Sequence, residues 1–67
     1  MMAQMKDKDY DIISVLYNAS QAVETCNRYV QDAEREGDRE AKSFFQEAQK
    51  QNEGLIERGR ELLKTRL

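Results

Sequence analysis

The chain has 67 residues, of which 39% are apolar and 36% charged, with no proline and only three glycines. This composition is typical of long solvated helices and argues against a sheet or a loop-rich scaffold, and the length allows one small domain. The net charge of −2 provides no basic field to hold a polyanion, so we expect no nucleic-acid partner.

The first predicted element is a helix over about residues 9–36, after a frayed or disordered N-terminus over residues 1–8, which show no apolar pattern. Its apolar positions recur in alternating steps of four and three: Ile12, Leu16, Ala19, Val23, Cys26, Val30 and Ala33. Such regular spacing predicts a helix with one buried stripe. Val15, Ala22 and Tyr29 form a second apolar row beside that stripe.

A turn is predicted at residues 37–38. Gly37 suits the left-handed residue that ends many helices, and Asp38 can cap the helix that follows. The step from Ala33 to Ala41 is eight residues, so the apolar stripe does not keep its phase through the turn. A single continuous helix would misalign the two stripes, which favours a helical hairpin over residues 9–67.

The second helix is predicted over about residues 39–65. Its stripe again alternates steps of four and three: Ala41, Phe45, Ala48, Asn52, Leu55, Gly59 and Leu62. When the helices fold antiparallel about the turn, Leu16 meets Gly59, which is the large-to-small matching that close helix packing requires. A glycine in a helix interior otherwise costs about 1 kcal/mol relative to alanine, and this packing explains it.

The predicted fold is therefore an all-α, antiparallel two-helix hairpin. An isolated hairpin leaves an outer row of apolar side chains uncovered, and we predict that this row is a dimer interface: Val15, Ala22, Tyr29, Phe44, Ile56 and Leu63. A second copy would complete a four-helix bundle, so the expected partner is a homo-oligomer, most simply a dimer. The turn is rich in acids and the chain end in arginine and lysine, which is compatible with head-to-tail packing but leaves the arrangement open.

The pattern Ser20-Gln21-Ala22, Ala33-Glu34-Arg35-Glu36-Gly37, Phe45 and Ala48 resembles one helical hairpin of the ferritin-like, rubrerythrin-type proteins. In that family two hairpins form a bundle whose carboxylates and Glu-x-x-His motif bind two metal ions. Carried over to this sequence, the first-helix glutamate falls on Ala19, and Glu-x-x-His falls on Asn52-Glu53-Gly54-Leu55. The resemblance thus implies the scaffold without its metal ligands, unless a shifted register uses Glu24 and Glu53. We expect no metal and no cofactor.

The side chains offer little chemistry for catalysis. There is no histidine, and we find no nucleophile–base pair or phosphate-binding glycine loop, so we expect no enzyme. Asn52 is interpreted as a buried amide that fixes register or oligomeric state, and Cys26 as a small buried packing residue. The opening residues lack the apolar core of a signal peptide and no segment reaches membrane-spanning length, so we expect a cytoplasmic protein without a membrane partner.

These observations lead to a non-enzymatic helical protein that self-associates and has a structural or protein-interaction role. Two alternatives remain open at this point: a ferritin-like metal-binding protein, and an adaptor that donates its helices to a different protein.

Overall fold

The structure, a computed structural model, describes residues 7–67 and consists there of two α-helices, α1 (Asp7–Glu36) and α2 (Arg39–Lys64). The two helices pack against each other in antiparallel directions. Their Cα atoms span 50 × 21 × 11 Å, so the molecule is a slab one helix thick with two broad sides. The predicted all-α hairpin is confirmed.

The helix ends differ slightly from those predicted. Helix α1 begins at Asp7 rather than at about residue 9, and the rest of the predicted frayed segment lies outside the described residues. Asp7 and Asp9 both lie in the first turn, where the positive end of the helix dipole favours carboxylates. Helix α2 ends at Lys64, where Thr65 caps it by bonding back to the Leu62 carbonyl.

The turn between the helices is held by local hydrogen bonds. Gly37 has φ 70°, and its amide donates to the Glu34 carbonyl at 3.1 Å, while the Asp38 amide donates to the Ala33 carbonyl at 2.9 Å. These two bonds form a Schellman motif, which satisfies carbonyls at the end of α1. Asp38 is also the N-cap of α2, since its Oδ1 accepts from the Ala41 amide at 3.0 Å.

We expect Gly37→Ala to destabilise the protein by about 1–2 kcal/mol, because an alanine Cβ strains a residue at positive φ. Gly54→Ala is the matched control. Gly54 lies inside α2 with no heavy atom within 4 Å of a Cβ placed there, so alanine should stabilise by somewhat under 1 kcal/mol. Thermal unfolding of both variants measures the difference, and equal midpoints would contradict the assigned turn.

The open end of the hairpin is closed by an ion pair. Arg66 Nη1 donates to Asp9 Oδ1 at 3.2 Å, and Asp9 is only 7% exposed. At the turn end Lys42 Nζ lies 2.7 Å from Glu34 Oε2, so each end of the hairpin has one pair between its two helices. These two contacts agree with the register of the Leu16–Gly59 contact.

The contact between the two helices is formed around small residues. Ala19, Ala33 and Gly59 are buried, at the positions where the predicted stripes place them. A Cβ added at Gly59 would lie 2.5 Å from Leu16 Cδ2 and 2.9 Å from Leu16 Cγ. Leu16 therefore fills the space above the glycine, as the predicted pairing requires.

The predicted stripe of α2 is wrong at Leu55 and Leu62, although Gly59 between them is buried as predicted. Leu55 and Leu62, predicted to face α1, are 43% and 47% exposed, whereas Ile56 and Leu63 are half-buried. A strict seven-residue repeat drifts by about 20° per heptad on a straight helix, while an eleven-residue repeat follows the helix closely. The buried side of α2 accordingly steps by eleven from Phe45 to Ile56.

Candidate interaction surface

One broad side of the hairpin exposes five large apolar side chains, which we call the apolar face. Their exposed fractions are 51% for Val15, 45% for Tyr29, 65% for Phe44, 43% for Leu55 and 47% for Leu62. Single exposed apolar residues are common on soluble proteins, but a contiguous set on one side marks an interaction surface. Their helical spacing places all five on the same side of the hairpin.

The five side chains lie on one side because of their helical spacing. Val15 and Tyr29 are two heptads apart on α1, and Phe44, Leu55 and Leu62 follow one another by eleven and seven residues on α2. Both spacings return a side chain to nearly the same direction around a helix. A groove between the helices contains Val15, Leu55 and Leu62 in its lining, which joins the two rows on one side.

That groove lies towards the open end of the hairpin and has a volume of about 250 Å³. Its lining is mostly apolar, with one charged residue from each helix: Asp11, Ile12, Val15, Leu16, Leu55, Arg58, Gly59 and Leu62. Small-molecule sites usually have volumes of about 300–1,000 Å³ and enclose most of the ligand. A shallow apolar groove of this size suits side chains from another helix better than a free ligand.

Aromatic residues form the other half of the face, near the turn. The ring centroids of Tyr29 and Phe45 are 5.4 Å apart with an interplanar angle of 56°, and those of Phe44 and Phe45 are 5.9 Å apart at 62°. Phe45 is half-buried between the helices, and the other two rings are exposed. Tilted and edge-to-face geometries are favourable for aromatic pairs. The half-buried ring thus supports two exposed ones.

The predicted interface residues divide into two groups. Val15, Tyr29 and Phe44 are exposed, and Ala22 is half-buried in the same row of α1. Ile56 and Leu63 are half-buried on the packed side of α2. Leu55 and Leu62 belong to the face but were not among the predicted interface residues, because their exposure depends on the rotation of α2 about its axis.

The polar residues of the seam act within the hairpin. Asn52 Nδ2 donates to the Ala48 carbonyl of its own helix at 2.9 Å, so its bond does not cross between the helices. The hydrogen bond that crosses comes from Gln49, whose Nε2 donates to the Val23 carbonyl at 3.2 Å. The sequence pattern missed Gln49, because a glutamine next to a stripe cannot be told from a solvated one.

The positions onto which the ferritin-like resemblance carries metal ligands hold no carboxylate or histidine. Ala19 is buried, Asn52 donates to the Ala48 carbonyl, and Leu55 is exposed on the apolar face. Glu24 and Glu53, the alternative ligands, are both exposed. Within residues 7–67 no group of three or more aspartate, glutamate, cysteine or histidine side chains is arranged to hold a metal ion. Cys26 is half-buried in the α1 stripe.

No protein-family model, curated protein or solved structure matches this chain. The ferritin-like resemblance therefore stays a prediction from the sequence pattern. Neither helix in the described part of the chain is long and apolar enough to cross a membrane. The candidate interaction surface of this structure is the apolar face.

Proposed function

We propose that this protein is a non-enzymatic helical hairpin that self-associates through its apolar face and has a structural or protein-interaction role. In this proposal a second copy covers the face and the two hairpins form a four-helix bundle. The single cysteine has no partner for an internal disulfide, which supports a cytoplasmic location.

One observation carries the proposal: the hairpin alone has almost no core. Among residues 7–67 the only buried apolar side chains are those of Ala19 and Ala33, and no side chain is fully buried. Chains of this size without disulfides or metals depend on oligomerisation or on unusually dense packing. Burying a leucine or phenylalanine contributes about 1.5–3 kcal/mol. Covering the five exposed residues of the face would therefore supply the missing core.

The dimensions of the face suit a second copy. The broad side measures 50 × 21 Å across its Cα atoms, which exceeds the roughly 800 Å² per partner of a standard specific interface. Because both helices contribute apolar residues, a second hairpin can lay one helix over each of them. The contact is then the same patch on both copies, as in the commonest symmetric dimers.

We expect sedimentation equilibrium at micromolar concentration to give about twice the 7.9 kDa mass of the chain. Folding coupled to dimerisation also makes the thermal midpoint depend on concentration. A tenfold dilution removes about 1.4 kcal/mol of association free energy and should lower the midpoint by a few degrees. A folded monomer that melts cooperatively at a constant midpoint would overturn self-association and favour the adaptor role.

A further inference from the structure

We propose that the two copies pack head to tail. Their two-fold axis lies between the two apolar faces, perpendicular to the helices, at the level of Ala22 on α1 and Glu53 on α2. In this arrangement each helix lies antiparallel to its own copy, and the turns are at opposite ends of the bundle. The inference rests on the proposed dimer and specifies how its copies are oriented.

Helix α1 carries a row of five residues that is complementary to itself when reversed. The row steps by seven residues on one side of the helix: Lys8, Val15, Ala22, Tyr29 and Glu36. Placed antiparallel to its copy about Ala22, the row pairs Val15 with Tyr29 of the other copy and Lys8 with Glu36 of the other copy. Ala22 then meets itself, and a small residue permits the closest approach of the helices.

Helix α2 can likewise be paired with a reversed copy of itself, with Glu53 at the centre. Phe44 and Leu62 are both nine residues from Glu53, so an antiparallel copy pairs these two side chains. Leu55 comes opposite Gln51, which lies two residues on the other side of the centre. Phe44 and Leu62 are therefore distributed as a two-fold axis requires, whereas Leu55 comes opposite a polar residue.

A single axis serves both helices because their centres lie at the same level of the hairpin. Contacts between the helices, including Leu16–Gly59 and Asp9–Arg66, join residues whose numbers add to between 72 and 76. The numbers of Ala22 and Glu53 add to 75. The centre between Phe44 and Leu62 on α2 therefore lies at the level of the centre between Val15 and Tyr29 on α1.

Charges around the face favour the same arrangement. About the axis, Glu47 of one copy comes opposite Gly59 of the other, next to Arg58, and Glu40 comes opposite Arg66, which already pairs with Asp9 of its own chain. Asp11 comes opposite Ala33, next to Asp32, whose charge is already paired with Arg35 of its own chain. The head-to-head alternative brings together two copies of the turn, whose residues 34–42 carry four acids and three bases, with Glu34 already paired with Lys42. Repulsion between the two turns therefore disfavours that complex only weakly.

Distances between spin labels on the two copies test the arrangement. Nitroxide labels are attached to Arg39→Cys or Glu53→Cys, two exposed positions, in a Cys26→Ala background. Residue 39 lies fourteen residues from the centre of α2, so the two copies of this label should be separated by about 42 Å along the helix axis at 1.5 Å per residue. Labels at residue 53 lie at the axis level and have no separation along the helix axis. They project from the side of α2 opposite Phe44 and Leu62, so the helix spacing of about 8–10 Å, the helix diameters of about 10–12 Å and the label lengths separate them.

A long distance at residue 39 with a short one at residue 53 supports the head-to-tail dimer. Short distances at both positions mean a head-to-head dimer, which overturns the inference and leaves the proposed self-association standing. No intermolecular distance at either position overturns both. Any other combination means a different register and overturns the inference. Dilution with unlabelled protein should remove each intermolecular signal and is the control.

Discussion

Replacing Gly59 with leucine is expected to lower the thermal midpoint by about 4–16 °C. A Cβ at this position would already lie 2.5 Å from Leu16 Cδ2, so a leucine must displace Leu16 or push the helices apart. Overpacking of this kind costs about 1–3 kcal/mol, while the higher helix propensity of leucine returns somewhat under 1 kcal/mol. Because the Cβ alone already clashes with two atoms of Leu16, the cost falls in the upper part of this range, and the net loss of about 1–2 kcal/mol corresponds to that shift for a domain of this size.

Two variants test whether the loss comes from this contact. Leu16→Ala in the Gly59→Leu chain should recover part of the midpoint, because it frees the space that the new side chain needs; a double-mutant cycle with Leu16→Ala alone isolates the coupling. Gly54→Leu is the matched control, since nothing lies within 4 Å of a Cβ there, and it should not lower the midpoint. A higher midpoint for Gly59→Leu would mean that the helices pair in another register.

Replacing Leu55 with glutamate is expected to abolish self-association. Leu55 is 43% exposed in the hairpin and belongs to the apolar face. Each dimer would lose two buried leucines and bury two carboxylates, at a cost of at least about 4 kcal/mol per dimer. This weakens dimerisation by a factor of about 10³. Sedimentation equilibrium should then give the 7.9 kDa chain mass, and the midpoint should fall with it.

Tyr17→Glu is the control for charge and for loss of an exposed apolar residue. Tyr17 is 64% exposed and lies outside the apolar face, in a shallow depression formed by α1 alone. This variant should keep the dimer mass. If Leu55→Glu also remains dimeric, the apolar face is not the contact between copies, and the proposed function fails with it.

The turn and the α1 stripe could be predicted because they depend on local rules. Gly37 is the residue that most easily adopts a positive φ, and Asp38 is among the best N-cap residues. The stripe of α1 repeats every seven residues, and its members are all half-buried or buried in the structure. The Leu16–Gly59 contact followed from folding two such stripes about a known turn, since only size matching was needed.

The candidate site was predicted only in part. Val15, Tyr29 and Phe44 were named correctly as uncovered, because they lie beside the α1 stripe or the start of the α2 stripe. Ile56 and Leu55 are adjacent in sequence and both apolar, so composition cannot say which of them faces α1. Their exposures depend on how far α2 has rotated relative to α1 by its second half.

The sequence by itself determined two antiparallel helices, the turn between them and the small residues at their contact, because periodicity, capping and size are properties of neighbouring residues. Only the tertiary structure decided which apolar side chains of α2 remain exposed, and that Gln49 and the Asp9–Arg66 pair connect the helices. These features depend on the rotation of one helix about its axis and on side-chain reach across about 8–10 Å between axes. A seven-residue pattern approximates that rotation and accumulates an error of about 20° per heptad, enough to exchange Leu55 for Ile56.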